Sequence, residues 1–275
     1  MRIHFLSLMF LSSSLLSFAQ QPTSHYQIIP EPKLIKYSDG SIILPKSVKI
    51  FAPKQALEEA QMLQEYLLDD FEMKSQIVDK ADKANIVFEL SVKSNNNEVY
   101  TLEVNKNKTV ISAATSTGIF YGIQSLRQII QKYDNKLYIQ QGTITDSPAF
   151  SWRSFMLDES RHFKGKQAVK NLLEEMALLK MNIFQWHLTD DQGWRIEIKK
   201  YPKLTEIGSY RDSTEINFIG SKVCNGKVHS GFYTQEDIKE IVAYATKLHI
   251  QIVPEIEMPG HASAAIAAYP WLGTT

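Results

Sequence analysis

The rhythm of residues 154–269 constrains this chain more than any other feature. "SFMLD" (154–158) is a short apolar run with the character of a buried strand. "KQAVKNLLEEMALLK" (166–180) then sets Val169, Leu172, Leu173, Met176 and Leu179 on one helical face. "NIFQWHL" (182–188) reads as a second strand, and a connection of about 45 residues runs from Thr189 to Tyr233. "TQEDIKEIVAYATKL" (234–248) opens with Thr234 as N-cap and Asp237 three residues on, a variant of the capping box. Its Ile238, Ile241, Val242, Ala245 and Leu248 mark one face. "IQIVPEIE" (250–257) is a third strand, and "HASAAIAAY" (261–269) begins another helix. This β-α-β-α-β order is the signature of a parallel sheet with right-handed crossovers. A doubly wound nucleotide fold is one such sheet. Here the first strand is followed by neither G-x-G-x-x-G nor G-x-x-x-x-G-K-[ST], so a phosphate cradle has no residues to build it. The pattern predicts an α/β fold, a partial (β/α)8 TIM barrel given by its first three strands.

Upstream the pattern differs. Residues 54–70 form a helical candidate with Leu57, Ala60, Met62, Leu63, Leu67 and Leu68 at helical spacing. "NIVFEL" (85–90) reads as a strand, and "VYTLEV" (99–104) and "TVISAA" (109–114) as a hairpin joined by Asn105–Lys108. Residues 116–131 read as a second helix, and "KLYIQQGTI" (136–144) closes the set. Strands and helices mix without a strict βαβ rhythm, which predicts a small α+β domain over residues 20–146. Asp146-Ser147-Pro148 marks the change of pattern, and the barrel segment occupies 147–275.

Residues 1–19 are a different material: a short positive start, an uncharged apolar stretch from Phe5 to Phe18, and small residues Ser17 and Ala19 before Gln20. This is the pattern of a secretory signal peptide cleaved after Ala19, which predicts a periplasmic or secreted protein with no transmembrane anchor after signal removal. The 30 basic and 30 acidic residues balance, so no global field draws the chain to nucleic acid or an acidic membrane. With a single cysteine, Cys224, no intrachain disulfide forms and the core alone must hold the fold.

In a (β/α) barrel, function sits at the C-terminal ends of the strands. All three strands here end in polar residues: Asp158-Glu159-Ser160-Arg161-His162 after the first, His187, Asp190 and Asp191 after the second, and Glu255, Glu257 and His261 after the third. Three such ends on one rim predict a pocket. Arg161 offers a planar fork for neighbouring hydroxyls or a carboxylate, or a plain salt bridge. Of Asp190 and Asp191, one is expected merely to cap the loop. Trp186 and Trp194 are either core or a platform for a sugar's C–H face. His162, His187 and His261 with carboxylates could supply metal ligands, but no H-x-H or H-E-x-x-H pair occurs, and no metal or other cofactor is predicted.

"WRSFMLDESRHF", "KMNIFQWHLTDDQGWRIEIKKYPKLTEIGSYR", "YTQEDIKEIVAYA" and "VPEIEMPGHASAAIAAYP" together resemble the family-20 glycoside hydrolases, the β-N-acetylhexosaminidases. "IIPEPKLIKY" and "TSTGIFYGIQSLRQII" resemble the α+β domain that precedes the barrel in that family. The resemblance implies removal of terminal N-acetylglucosamine or N-acetylgalactosamine from glycans by substrate-assisted retaining catalysis, an exception to the two-carboxylate scheme. The substrate's 2-acetamido oxygen attacks the anomeric carbon, a Glu protonates the leaving oxygen, and the Asp before it orients the acetamido group. By the same resemblance Arg161 holds ring hydroxyls, and Asp190 and His261 are supporting residues linked to each other and to the catalytic Glu. Asp191, His187, Glu257 and Trp194 have weaker claims. Glu257 stands where the family pattern has Asp, and its extra methylene lengthens the reach. The family's catalytic Asp-Glu pair lies beyond the Pro-Gly-His turn in a Gly-Gly-Asp-Glu type segment, and no Asp-Glu dipeptide follows His261 here. The resemblance therefore implies the N-terminal portion of such an enzyme, ending before the catalytic pair and inactive by itself. The alternatives are a non-catalytic glycan-binding protein derived from the enzyme and a metal-dependent barrel hydrolase.

Overall fold

The computed structural model describes residues 27–218 and 220–273. The signal-peptide reading of residues 1–19 lies outside the described residues. The elements in chain order are β1 (Leu34–Ile43), β2 (Ser47–Phe51), α1 (Leu57–Phe71), β3 (Lys74–Ile77), β4 (Ile86–Glu89), β5 (Tyr100–Val104), β6 (Thr109–Ala113), α2 (Ser116–Ile129), β7 (Gln131–Tyr133) and β8 (Lys136–Asp146). There follow β9 (Ser154–Asp158), α3 (Lys166–Leu178), β10 (Ile183–His187), β11 (Thr189–Asp190), β12 (Gly193–Trp194), α4 (Lys203–Glu206), β13 (Tyr210–Arg211), β14 (His229–Ser230), α5 (Gln235–Lys247), β15 (Gln251–Glu255) and α6 (Ser263–Ala268).

The first eight strands form one mixed sheet in the order β1-β8-β5-β6-β4-β2-β3, with β7 beside β8. Its β2-α1-β3 passage is a parallel βαβ unit, and β2-β4 and β4-β6 are parallel too, so the mixed α+β pattern hides a crossover rhythm. α2 lies on this sheet with ten buried residues, because Gly118 and Gly122 let its backbone meet the sheet. A Cβ on Gly122 would strike the Ile111 side chain. In α1 the buried face is Ala60, Leu63, Tyr66 and Leu67, whereas Leu57 and Leu68 are exposed.

The second sheet has three parallel strands in the order β15-β10-β9. Phe184 and Trp186 of β10 turn to the helix side and are buried, while Gln185 and His187 point to the other face, as strand alternation requires. α3 buries Val169, Leu173, Met176 and Ala177, and α5 buries Ile241 and Ala245; Leu179 and Val242, read as face positions, are exposed. The capping box at Thr234 and Asp237 is fully formed, each side chain taking the other residue's backbone N–H. The long connection from Thr189 to Tyr233 is not one loop. It is pinned by two small antiparallel ribbons, β11–β12 and β13–β14. Among the described residues no helix is long and apolar enough to cross a membrane.

Candidate active site

The register of the three-stranded sheet places Asp158, His187 and Glu255 side by side at the strand ends. The turns beyond them bring in Arg161, Asp190 and His261. Asp190 is the centre. It is 3% exposed, yet its carboxylate has four partners. Oδ2 lies 2.7 Å from Arg161 Nη2 and 3.3 Å from His187 Nε2. Oδ1 accepts from His261 Nδ1 at 3.1 Å and from the Asp191 backbone N–H at 2.7 Å. A buried carboxylate is tolerated only with this degree of pairing.

Arg161 spans the first two strand ends. Its Nη1 donates to Asp158 Oδ2 at 2.9 Å and faces His187 Nδ1 at 3.4 Å, and its Nε donates to Gln192 Oε1 at 3.1 Å. The side chain keeps 38% of its surface open to solvent, so the fork is held and still accessible. His187 donates from Nε2 to the Thr189 carbonyl at 3.0 Å, which leaves Nδ1 as the acceptor facing Arg161. At His261 the carboxylate of Asp190 fixes the proton on Nδ1, and the ring is 58% exposed with Nε2 left over. Asp191 turns the other way. Its Oδ1 accepts the Ser263 backbone N–H at 3.0 Å and hydroxyl at 2.7 Å, so it holds the start of α6, and these bonds lower its pKa.

Two family models match the chain in succession: Glycosyl hydrolase family 20, domain 2, over residues 25–147, and Glycosyl hydrolase family 20, catalytic domain, over residues 150–275. The chain belongs to glycosyl hydrolase family 20. It is 38% identical over 259 residues to a β-hexosaminidase of Porphyromonas gingivalis, covering 89% of this chain and 32% of that protein. A β-hexosaminidase of Vibrio furnissii is 36% identical over 247 residues, covering 89% of this chain and 40% of its own length. The solved structure of a Vibrio harveyi exo-β-N-acetylglucosaminidase in complex with N-acetylglucosamine aligns with a TM-score of 0.78 at 34% identity, over 89% of this chain and 38% of that one. The chain thus spans 32% to 40% of the length of these relatives.

Within this family-20 chain the residues singled out in the sequence sort into two groups. Arg161, His187, Asp190 and His261 meet in one network. Glu257 borders it, with a carboxylate oxygen within 4.8 Å of ligand-type atoms of His187 and Glu255. Trp194 does not join them. Its ring is buried among Leu204, Ala264 and Ala265, and its Nε1 donates to the Ile196 carbonyl at 2.7 Å, so it is a core residue under α6 rather than a platform at the network. Trp186 is likewise core. The three histidines do not share one centre. His187 groups with Glu255 and Glu257, His261 groups with Asp190 and Asp191, and His162 belongs to neither group. The carboxylates of Asp190 and Asp191 already serve Arg161, His261 and Ser263, so these residues fit a hydrogen-bonded network better than a cation site.

Two further buried ionic residues brace the turn after β9: Arg195, which the sequence reading does not single out, and Glu159, which it gives only as one of the polar residues at the first strand end. Arg195 is wholly buried, and its guanidinium donates only to backbone carbonyls: Ser160 at 2.9 Å, Ser209 at 2.6 Å and Gly231 at 3.0 Å. Burial pulls its pKa down to about 10. It ties the turn after β9 to the two ribbons, and Gly193 leaves the space it fills. Glu159 is the other; it accepts from the Lys164 backbone N–H at 2.8 Å and the Tyr233 hydroxyl at 3.0 Å, and burial raises its pKa. The available signal was "GWRIEI", a lone arginine between apolar residues just after a strand end.

Proposed function

We propose that these residues form the sugar-holding and supporting half of a β-N-acetylhexosaminidase site. Asp190 carries the reading: one buried carboxylate joins Arg161 to His261 across the ends of parallel strands. Arg161 presents its exposed fork to the ring hydroxyls of a terminal N-acetylhexosamine. His261, its Nδ1–H held by Asp190, offers Nε2 to a catalytic Glu and sets that acid's orientation and proton affinity. The substrate's own acetamido oxygen is the nucleophile, which gives retention without an enzyme nucleophile. The Asp-Glu pair that orients the acetamido group and protonates the leaving oxygen does not occur in residues 262–275, so residues 1–275 alone are inactive. Residues 147–275 supply the first three strands of a (β/α)8 barrel behind an α+β domain of residues 20–146. Residues 1–19 act as an export signal, and the glycan is met in the periplasm or outside the cell.

The test is hydrolysis of an aryl N-acetylglucosaminide by the product of the complete reading frame that contains these residues, beside the 275-residue chain. Turnover by the first and none by the second is the expected result. Clear turnover by the 275-residue chain would overturn the division of labour. No turnover by either, with saturable N-acetylglucosamine binding, would make this a glycan-binding protein. Activity that a chelator abolishes would make it a metal-dependent hydrolase.

A further inference from the structure

The turn that carries Arg161 is held from outside by a ribbon that the proposed function leaves without a task. Across β13–β14, Arg211 pairs with His229, and both side chains reach the same turn. Arg211 donates from Nη2 to the Arg161 carbonyl at 2.7 Å and from Nη1 to the Gln192 carbonyl at 3.1 Å. His229 accepts the Phe163 backbone N–H at Nε2, 2.9 Å away. The Phe163 ring lies on Gly231, where any Cβ would collide with it, and 4.8 Å from the Tyr233 ring. Gln192, whose backbone Arg211 holds, is the residue that accepts Arg161 Nε. One ribbon therefore fixes Arg161 through its own carbonyl, through the N–H two residues on, and through a side-chain partner.

We propose that Arg211 and His229 are positioning residues, a clasp that sets where the Arg161 guanidinium meets the sugar. The inference rests on the reading of Arg161 as the sugar-holding residue. Its physical basis is that the segment between β9 and α3 has no ladder of its own. A planar fork binds two hydroxyls only within a narrow range of angles, and a loosely held site misses by about 1 Å. The His187 carbonyl and Arg195 hold the turn at Glu159 and Ser160, and the clasp extends that hold to Arg161 and Phe163.

The clasp also has a protonation requirement. Nε2 of His229 can accept the Phe163 N–H only while it carries no proton. Three cations face His229, Arg211 beside it, Arg195 and, from the turn, Lys164, and the titratable His162 ring lies 5.3 Å away. Burial first, then these charges, push His229 down to about 4. The bond is intact above that value and opens as pH falls through it.

The experiment is a titration of N-acetylglucosamine into the product of the complete reading frame, for the unsubstituted protein and for Arg161→Ala, His229→Ala and His229→Gln. Hydrogen–deuterium exchange of a peptide spanning 160–164 is measured alongside. His229→Ala should weaken binding about tenfold, the worth of one net hydrogen bond, and speed exchange at Phe163. His229→Gln, whose Oε1 can still accept, should restore both and should lack the drop in protection, measured against the intrinsic exchange rate, that is expected of the unsubstituted protein below a pH of about 4. If Arg161→Ala weakens binding while His229→Ala changes neither binding nor exchange, the clasp is wrong. If Arg161→Ala binds as tightly as the unsubstituted protein, the reading beneath it is wrong, and exchange alone decides whether His229 orders the turn. Failure of His229→Gln to restore either readout would also overturn the clasp.

Discussion

At the scale of single residues, Asp190 and Asp191 are neighbours with opposite tasks. Asp190 faces inward with four polar partners, and Asp191 faces outward to Ser263. Asp190 ends β11 and Asp191 begins the turn beyond it, but the sequence does not reveal which one turns in, because a two-residue strand carries no hydrophobic pattern to set its register. Asp190→Ala should leave Arg161 and His261 without their shared acceptor and cost about 1–3 kcal/mol, since Arg161 remains partly solvated. Asp191→Ala should cost about 1 kcal/mol or less, as for an exposed helix-start acceptor. Thermal unfolding of the two variants checks this, and an equal loss in both would show that Asp190 is not the centre of the network. The burial of Arg195 and that of Glu159 were not legible for a related reason. Their burial depends on ribbons some distance along the chain, and nothing local announces that a charge will be enclosed.

At the scale of elements, legibility followed length for the helices and apolar content for the strands. α3 and α5, each 13 residues, carry clear helical periodicity and lie where the sequence places them. Among short strands composition decided: β9, β10 and β15, five residues each, carry apolar runs, whereas β2 (SVKIF) and β3 (KSQI) mix in lysine, serine and glutamine, and the two-residue ribbons within 189–233 carry no period at all. The N-terminus of α5 was legible in detail. Thr234→Ala should cost about 1 kcal/mol by removing an N-cap. Asp237 should make stability acid-sensitive. Hydrogen bonds from Lys166 first and then Thr234 lower its folded pKa to about 2, from an ordinary value of 3.8. Its contribution is therefore fully present above 3.8 and is lost as pH falls toward about 2. Urea unfolding of Asp237→Asn across that range should show a flatter acid limb than the unsubstituted chain. An unchanged limb would show that other carboxylates carry it.

At the scale of the whole molecule, the mixed sheet and the three-stranded sheet are joined by buried ionic contacts rather than by apolar packing alone. Lys180, after α3, donates to the Tyr100 hydroxyl of β5 at 2.8 Å and to Asp146 at the end of β8 at 3.1 Å. Arg153 pairs with Glu98 at 2.9 Å, and His249 with Glu59 at 3.2 Å. Lys180→Ala should cost about 3 kcal/mol, because it takes the cation from the largely enclosed Asp146 carboxylate. Urea unfolding measures that loss, and a loss below about 1 kcal/mol would place Lys180 among surface-like pairs. None of these contacts was legible in the sequence, since each joins residues far apart along the chain, from 34 positions for Lys180 and Asp146 to 190 for His249 and Glu59.

In the proposed site a sugar-holding Arg161 and a relay from Asp190 to His261 act with a nucleophile supplied by the substrate. The most direct test is proton NMR of the sugar first released by the product of the complete reading frame, with an aryl N-acetyl-β-glucosaminide and the matching β-glucoside as substrates. The account predicts β-anomer at first release from the acetamido substrate and no hydrolysis of the glucoside. First release of the α-anomer, or comparable hydrolysis of the glucoside, would contradict it.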